Sequence, residues 1–136
     1  MGDTYEKYGF DYTRTVMHTL NIDISEFTKD RVVATMPVTP KVFQPYGIMH
    51  GGVSLVLAET VASCGSYLHL DPEKQYAVGL EINANHIRSV NSGTVTAIGV
   101  PIHSGRSSLV WDIKIYDEKE RLICVSRCTM MVLNLP

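Results

Sequence analysis

The chain lacks most of what would mark it for a special environment. It has no uninterrupted apolar stretch of about 18 residues, the length a membrane-spanning helix needs. Its opening residues, MGDTYEKYGFDY, are polar and acidic, where a secretory signal would show a basic start and then an apolar run, so the cytoplasm is the expected compartment. Excess charge of one sign is missing too. Twelve Lys and Arg stand against fourteen Asp and Glu, a formal charge of -2, which offers no basic stripe for nucleic acid. Cysteine is scarce: Cys64, Cys124 and Cys128 are an odd count without metal-ligand spacing, so neither a disulfide framework nor a metal site is expected. No Pro/Gly/Ser-rich linker and no repeat divides the 136 residues, and residues 1–136 are expected to form a single domain that folds without staples.

What is present is patterned. Tyr5, Tyr8, Tyr12, Val16 and Leu20 recur at three or four residue intervals and predict an amphipathic helix over about 5–20. Residues 22–28 and 31–38, parted by Lys29-Asp30, predict a β-hairpin. Four runs rich in Val, Ile, Thr and Tyr follow at 76–88, 93–103, 106–117 and 121–133, with short connections that imply antiparallel neighbours. In the third, Leu109, Trp111, Ile113 and Ile115 alternate with Val110, Asp112, Lys114 and Tyr116, the mark of a half-buried sheet. Between the halves, GGVSLVLAETVASCGSYL predicts a central helix over about 51–68 that is apolar on every face and therefore buried all round. An antiparallel sheet of about six strands wrapped around that helix, an α+β fold, meets the need.

From Val42 to Leu70 the only Asp, Glu, Lys or Arg is Glu59, in the middle of the predicted helix. A carboxylate taken out of water needs a partner or a purpose. It is either a Glu satisfied by a structural partner or a nucleophile or general base. Ser63, one turn on, shares its face and could orient it or a water. At the helix entrance stand Gln44, His50, Gly51 and Gly52. Unpaired amides at a helix start can polarise a carbonyl oxygen, and glycines admit a ligand close to the backbone; the same residues could also be a plain loop-to-helix turn. Gly51 and Glu59 lie eight residues apart, about 12 Å along one helix. One thioester or ester cannot touch both. If both serve one reaction, they come from different subunits related by a two-fold axis, which predicts an obligate homodimer with two shared sites.

The run Gln44-x5-His50-Gly51-Gly52, then Ala58-Glu59-Thr60 with Ser63, then Glu81-Ile82-Asn83-Ala84-Asn85-His86-x-Arg88 and His103-x-Gly105-Arg106, resembles the hotdog-fold acyl-CoA thioesterases. The nearest branch holds the phenylacetate-pathway, enterobactin-proofreading and 1,4-dihydroxy-2-naphthoyl-CoA thioesterases. The resemblance runs from about Asp23 to Leu133. It implies that Glu59 is nucleophile or general base, that the Gly51 amide polarises the thioester carbonyl, that Gln44 and His50 position the thioester, and that Ser63 orients the attacking water. It also implies that His86, Arg88, His103, Gly105 and Arg106 hold coenzyme A, which arrives as part of the substrate, so no separate cofactor is expected. Residues 53–57, Cys64, Tyr67 and 78–80 would shape an acyl pocket, for an acyl group expected to be aromatic or hydroxylated aromatic. Pairing of dimers into a homotetramer is expected. Two other activities fit less well. A hotdog dehydratase or hydratase also pairs a loop His with a helix acid, and a module that binds acyl-CoA without turnover would leave Glu59 idle.

Overall fold

The computed structural model describes residues 11–136. Among them six strands form one antiparallel sheet: β1 (Asp23–Phe27), β2 (Val32–Pro37), β3 (Gln75–His86), β4 (Thr94–Ser104), β5 (Ser108–Tyr116) and β6 (Leu122–Asn134). Their spatial order is β1-β2-β4-β5-β6-β3. The neighbours β1–β2, β4–β5 and β5–β6 form antiparallel as expected, but the first of the four later runs does not neighbour the second: β3 lies at the far edge paired with β6, and β4 pairs instead with β2. The central helix α2 (Gly51–Tyr67) begins where predicted and ends one residue early, with Leu68 as its C-cap. It links β2 to the far edge strand β3 and touches β2, β3, β4, β5 and β6. Five strands can touch one helix only if the sheet curls around it. Among the described residues no helix is long and apolar enough to cross a membrane.

The inward alternation of β5 is as read: Leu109, Trp111, Ile113 and Ile115 are fully buried. Small residues facing large ones bring the helix close. A Cβ on Gly65 would lie 2.4 Å from the Trp111 ring, and one on Gly99 would lie 2.4 Å from Val61. The Trp111 indole N–H donates to Ser66 Oγ at 2.9 Å, so a large apolar ring is buried without an orphaned donor. The charged run at 117–120 forms the turn between β5 and β6, as expected. There Arg121 N–H, the Arg121 guanidinium and Lys119 N–H bond Asp117. Burial pushes that carboxyl up, but these bonds outweigh it and hold it below its ordinary value.

Two expectations fail. Residues 5–10 of the predicted N-terminal helix lie outside the described residues, and over 11–20 the chain is not one helix. A 3-10 turn (Tyr12–Arg14) gives way at Thr15, whose φ of -123° and ψ of 160° are extended, to the single-turn helix α1 (Val16–Thr19). The Tyr12 hydroxyl explains the break, since it donates to the carbonyls of Met17 and Ile22 and folds the segment back on itself. The central helix is also not buried all round. Ser54, Leu57, Ala58, Val61, Ala62, Gly65 and Ser66 are buried against the sheet, but Gly52 and Ser63 are exposed and Val56, Glu59 and Thr60 half-buried. One sheet covers one side of a helix, and among the described residues the other side of this apolar helix is only partly covered, by Thr15, Val16 and Met17 near Glu59.

Candidate active site

The entrance loop is held by its own backbone. Gln44 N–H donates to Ile48 O at 2.8 Å and Gly47 N–H to Gln44 O at 3.0 Å. Gly47, at φ 76°, supplies the left-handed turn that a side chain would resist. His50 N–H donates to Val42 O and Met49 N–H to Val90 O, both at 2.8 Å. His50 then caps the helix: its Nδ1 accepts from Gly52 N–H at 2.8 Å and its carbonyl from Val53 N–H at 3.0 Å. These bonds consume the second and third helix-start donors. Among the described residues the Gly51 N–H donates to nothing, which leaves the first donor of the helix aimed outward.

Gly51 lines a cavity of about 270 Å³ together with Gln44, Ser54, His86 and Arg88. The Tyr46 N–H donates to Gln44 Oε1, so the amide NH₂ of Gln44 is the end left to donate to a ligand. The His86 ring lies directly over Gly51, where a Cβ would come within 2.7 Å of Nε2. His50 is not among the residues that line this cavity; its Nδ1 is occupied by the cap, so a neutral ring carries its proton on Nε2.

Glu59 opens elsewhere, into a cavity of about 520 Å³ shared with Val16, Met17, Val56, Ser63, Cys64, Ala77, Val78 and Gly79. A neighbouring space of about 310 Å³ also takes in Ser63, Cys64 and Ala77 and runs on past Tyr67, Leu70, Gln75 and Tyr76. The two together make a largely apolar tract leading away from the carboxylate. Ser63 and Glu59 line the same wall, as their spacing predicted. Of the residues expected to shape an acyl pocket, Val56, Cys64, Tyr67, Val78 and Gly79 do line this tract. Cys64 is no rival nucleophile, because burial pushes its thiol up to about 12. Burial, with the charges of Glu59 and Glu81, likewise lifts Cys128 to about 12.

Among the described residues none lines both the Gly51 cavity and the Glu59 cavity. One strand nevertheless serves both. Gly79 lies under the Glu59 carboxylate and His86 over Gly51, seven positions apart, an odd spacing that would put them on opposite faces of a regular strand. The pairing of β3 with β6 slips between Gly79 and Glu81, so Leu80 is a bulge residue and the inward phase changes from Ala77 and Gly79 to Ile82, Ala84 and His86. Sequence reading placed Gly79 only among the pocket-shaping residues and missed both its contact with Glu59 and the bulge. A lone glycine inside a strand run was the available signal.

His103, Gly105 and Arg106 are not brought to either cavity. They sit at the β4–β5 turn, where the His103 ring packs over Gly105. Ser104 beside them bonds His69, just past the C-terminal end of α2, which lies about 24 Å from Gly51 along the helix. His69 itself is structural: its ring also meets Lys29 O at 2.7 Å and stands edge-on to Trp111.

A curled antiparallel sheet around one helix, with a free amide at the helix start and a carboxylate two turns in, defines a hotdog-fold thioester hydrolase. The chain belongs to the thioesterase superfamily, whose family model matches residues 46–124. It is 49% identical over 117 residues to a 1,4-dihydroxy-2-naphthoyl-CoA hydrolase of Listeria monocytogenes, covering 86% of this chain and 94% of that protein. The crystal structure of a thioesterase from Haemophilus influenzae superimposes with a TM-score of 0.85 at 49% identity, over 90% of this chain and 85% of that one. A hypothetical thioesterase protein of Streptococcus pneumoniae, solved with coenzyme A, superimposes with a TM-score of 0.76 at 27% identity, over 84% and 87%.

Proposed function

We propose that the chain is an acyl-CoA thioesterase whose two active sites are each shared between two copies. Water adds to the thioester carbonyl carbon, the C–S bond breaks, and the products are a free carboxylic acid and the coenzyme A thiol. Glu59 drives the reaction with Ser63 beside it, either as base to that water or as nucleophile, in which case a Glu59–acyl anhydride forms as the C–S bond breaks and water then hydrolyses it to the free acid. The Gly51 N–H of the other copy receives the oxyanion, because a fixed backbone donor stabilises charge as it develops. The observation that carries this reading is the separation of the Gly51 and Glu59 cavities on one helix. Antiparallel pairing of two such helices supplies the missing half to each. It also covers the open side of α2 and the exposed Tyr76, Val78 and Leu80 of the edge strand β3.

Coenzyme A reaches the carbonyl past His86 and Arg88 in the Gly51 cavity. In an antiparallel pair, the β4–β5 turn of the second copy, with His103, Gly105 and Arg106, lies toward this helix start, where it can meet the phosphates. Pairing of dimers into a tetramer extends the same reading. The acyl group occupies the tract from Glu59 past Cys64 to Tyr67 and Gln75. Its apolar walls with a few polar groups suit an aromatic or hydroxylated aromatic acyl such as dihydroxynaphthoyl, the acyl named for the Listeria relative. No other cofactor is needed.

A panel of aromatic and straight-chain acyl-CoAs, followed by thiol release with a chromogenic reagent, tests this. The expected result is fastest release from aromatic members and a loss on the order of 10³-fold or more in Glu59→Gln, the scale seen when a central catalytic group is removed. Stoichiometric binding without thiol release from any member would favour a binding module instead.

A further inference from the structure

We propose that Gly79 is a positioning residue for the Glu59 carboxylate, its missing side chain being the seat in which that carboxylate rests. The inference builds on the reading of Glu59 as the catalytic group. A Cβ on Gly79 would stand 2.1 Å from Glu59 Oε1 and 3.1 Å from its carboxyl carbon, so the carboxylate occupies the volume that any other residue at 79 would fill. Among the described residues no donor is hydrogen-bonded to Glu59. Shape, rather than a hydrogen bond, therefore locates the group. Gly79 is also not required by backbone geometry, since the positive-φ glycines among the described residues are Gly47 and Gly93. Glycine inside a strand is otherwise unfavourable, and the bulge at Leu80 keeps position 79 in the inward phase while His86 stays over Gly51.

The two atoms in conflict differ in stiffness. Position 79 is backbone in a paired strand, whereas Oε1 is the far end of a flexible side chain. A methyl at 79 therefore moves the carboxylate and leaves the strand in place. Displacing a reacting group by about 1 Å can cost on the order of 10²-fold in rate without changing what binds the rest of the substrate.

The test combines Gly79→Ala, Glu59→Asp and the double variant in the acyl-CoA assay, with melting curves and a crystal structure of Gly79→Ala. Gly79→Ala is expected to lower kcat by about 10²-fold with KM within about threefold and to melt no lower than wild type. In the Glu59→Asp background the same change should cost less than about threefold, because the carboxylate is one methylene shorter and no longer reaches the strand. Wild-type kcat in Gly79→Ala, a full second loss in the double variant, or a Gly79→Ala chain that fails to fold would each overturn the proposal. The crystal structure decides independently of activity. A carboxylate swung away from β3 supports the seat and an unmoved one refutes it, even if the wild type hydrolyses no acyl-CoA and the functional reading falls.

Discussion

The Gly51 end and the Glu59 end of helix α2 are built on opposite principles. At Gly51 the proposed functional group is a backbone N–H, fixed by a cap, a left-handed turn and two bonds to neighbouring loop carbonyls. At Glu59 it is a flexible side chain resting over a glycine, in an open cavity nearly twice as large. The first can hold a developing charge without rearranging. The second can follow a reacting carbon. An acyl transfer needs both qualities, and a helix that sets the two groups eight residues apart cannot deliver both to one thioester from a single chain.

The sharpest way to break that division is to separate the halves on different copies. Gly51→Pro removes the N–H donor at a helix position where proline is tolerated, although its ring also forces His86 aside. Alone, it and Glu59→Ala should each lose at least about 10²-fold in kcat. Equal amounts of the two, unfolded and refolded together, should recover about a quarter of wild-type activity, since random pairing makes half the dimers mixed and each mixed dimer holds one intact site. A mixture that stays inactive would place both groups within one chain. A smaller effect is expected from Gln44→Ala. It leaves the Gly51 donor and Glu59 intact but removes the amide that faces the same cavity, so kcat/KM should fall by about 10- to 100-fold, measured on the best substrate of the panel.

The two ends also differed in how legible they were. The strand runs, the turn at 117–120 and the bounds of α2 could be read because alternation and turn residues act over a few positions. Glu59 stood out as a lone charge in an apolar run, and Gly51 as part of a double glycine at a helix start. What stayed hidden depends on contacts distant in sequence. The phase change at Leu80 exists only relative to β6, and Gly79 has meaning only with Glu59 above it. The break at Thr15 is set by the Tyr12 hydroxyl reaching the carbonyl of Ile22, which outweighs a helical stripe of tyrosines. The open face of α2 was misread because an apolar helix looks the same whether its own sheet or a second copy covers it.

Stability separates the covered face of α2 from the open one by a further margin. Leu57→Ala, fully buried against the sheet, should cost about 2–5 kcal/mol, and Ser66→Ala, which orphans the Trp111 N–H, about 1–3 kcal/mol, both read from urea unfolding. Ser63→Ala, exposed on the open face, should shift stability by less than about 0.5 kcal/mol. Equal losses at Leu57 and Ser63 would mean that the two faces are not packed differently.

The smallest effect concerns Cys64, which lines the Glu59 cavity and not the Gly51 cavity. Burial lifts Cys64 from 9.0 to about 12. A raised thiol pKa favours the protonated form in the folded chain, so its stabilising contribution is complete below pH 9, where the unfolded thiol is also protonated. It is lost progressively as pH rises from about 9 through about 12, because the unfolded chain then releases a proton that the folded chain keeps. The melting temperature should therefore fall over that window, and Cys64→Ala should make the fall shallower. At pH 8 the same shift leaves roughly 10³-fold less thiolate than an ordinary cysteine, so iodoacetamide should modify Cys64 far more slowly in the native protein than in urea. Equal rates in the two states would show that the wall beside Glu59 is wet, and that the carboxylate works in a solvated cleft rather than in a cavity that substrate and a second copy close.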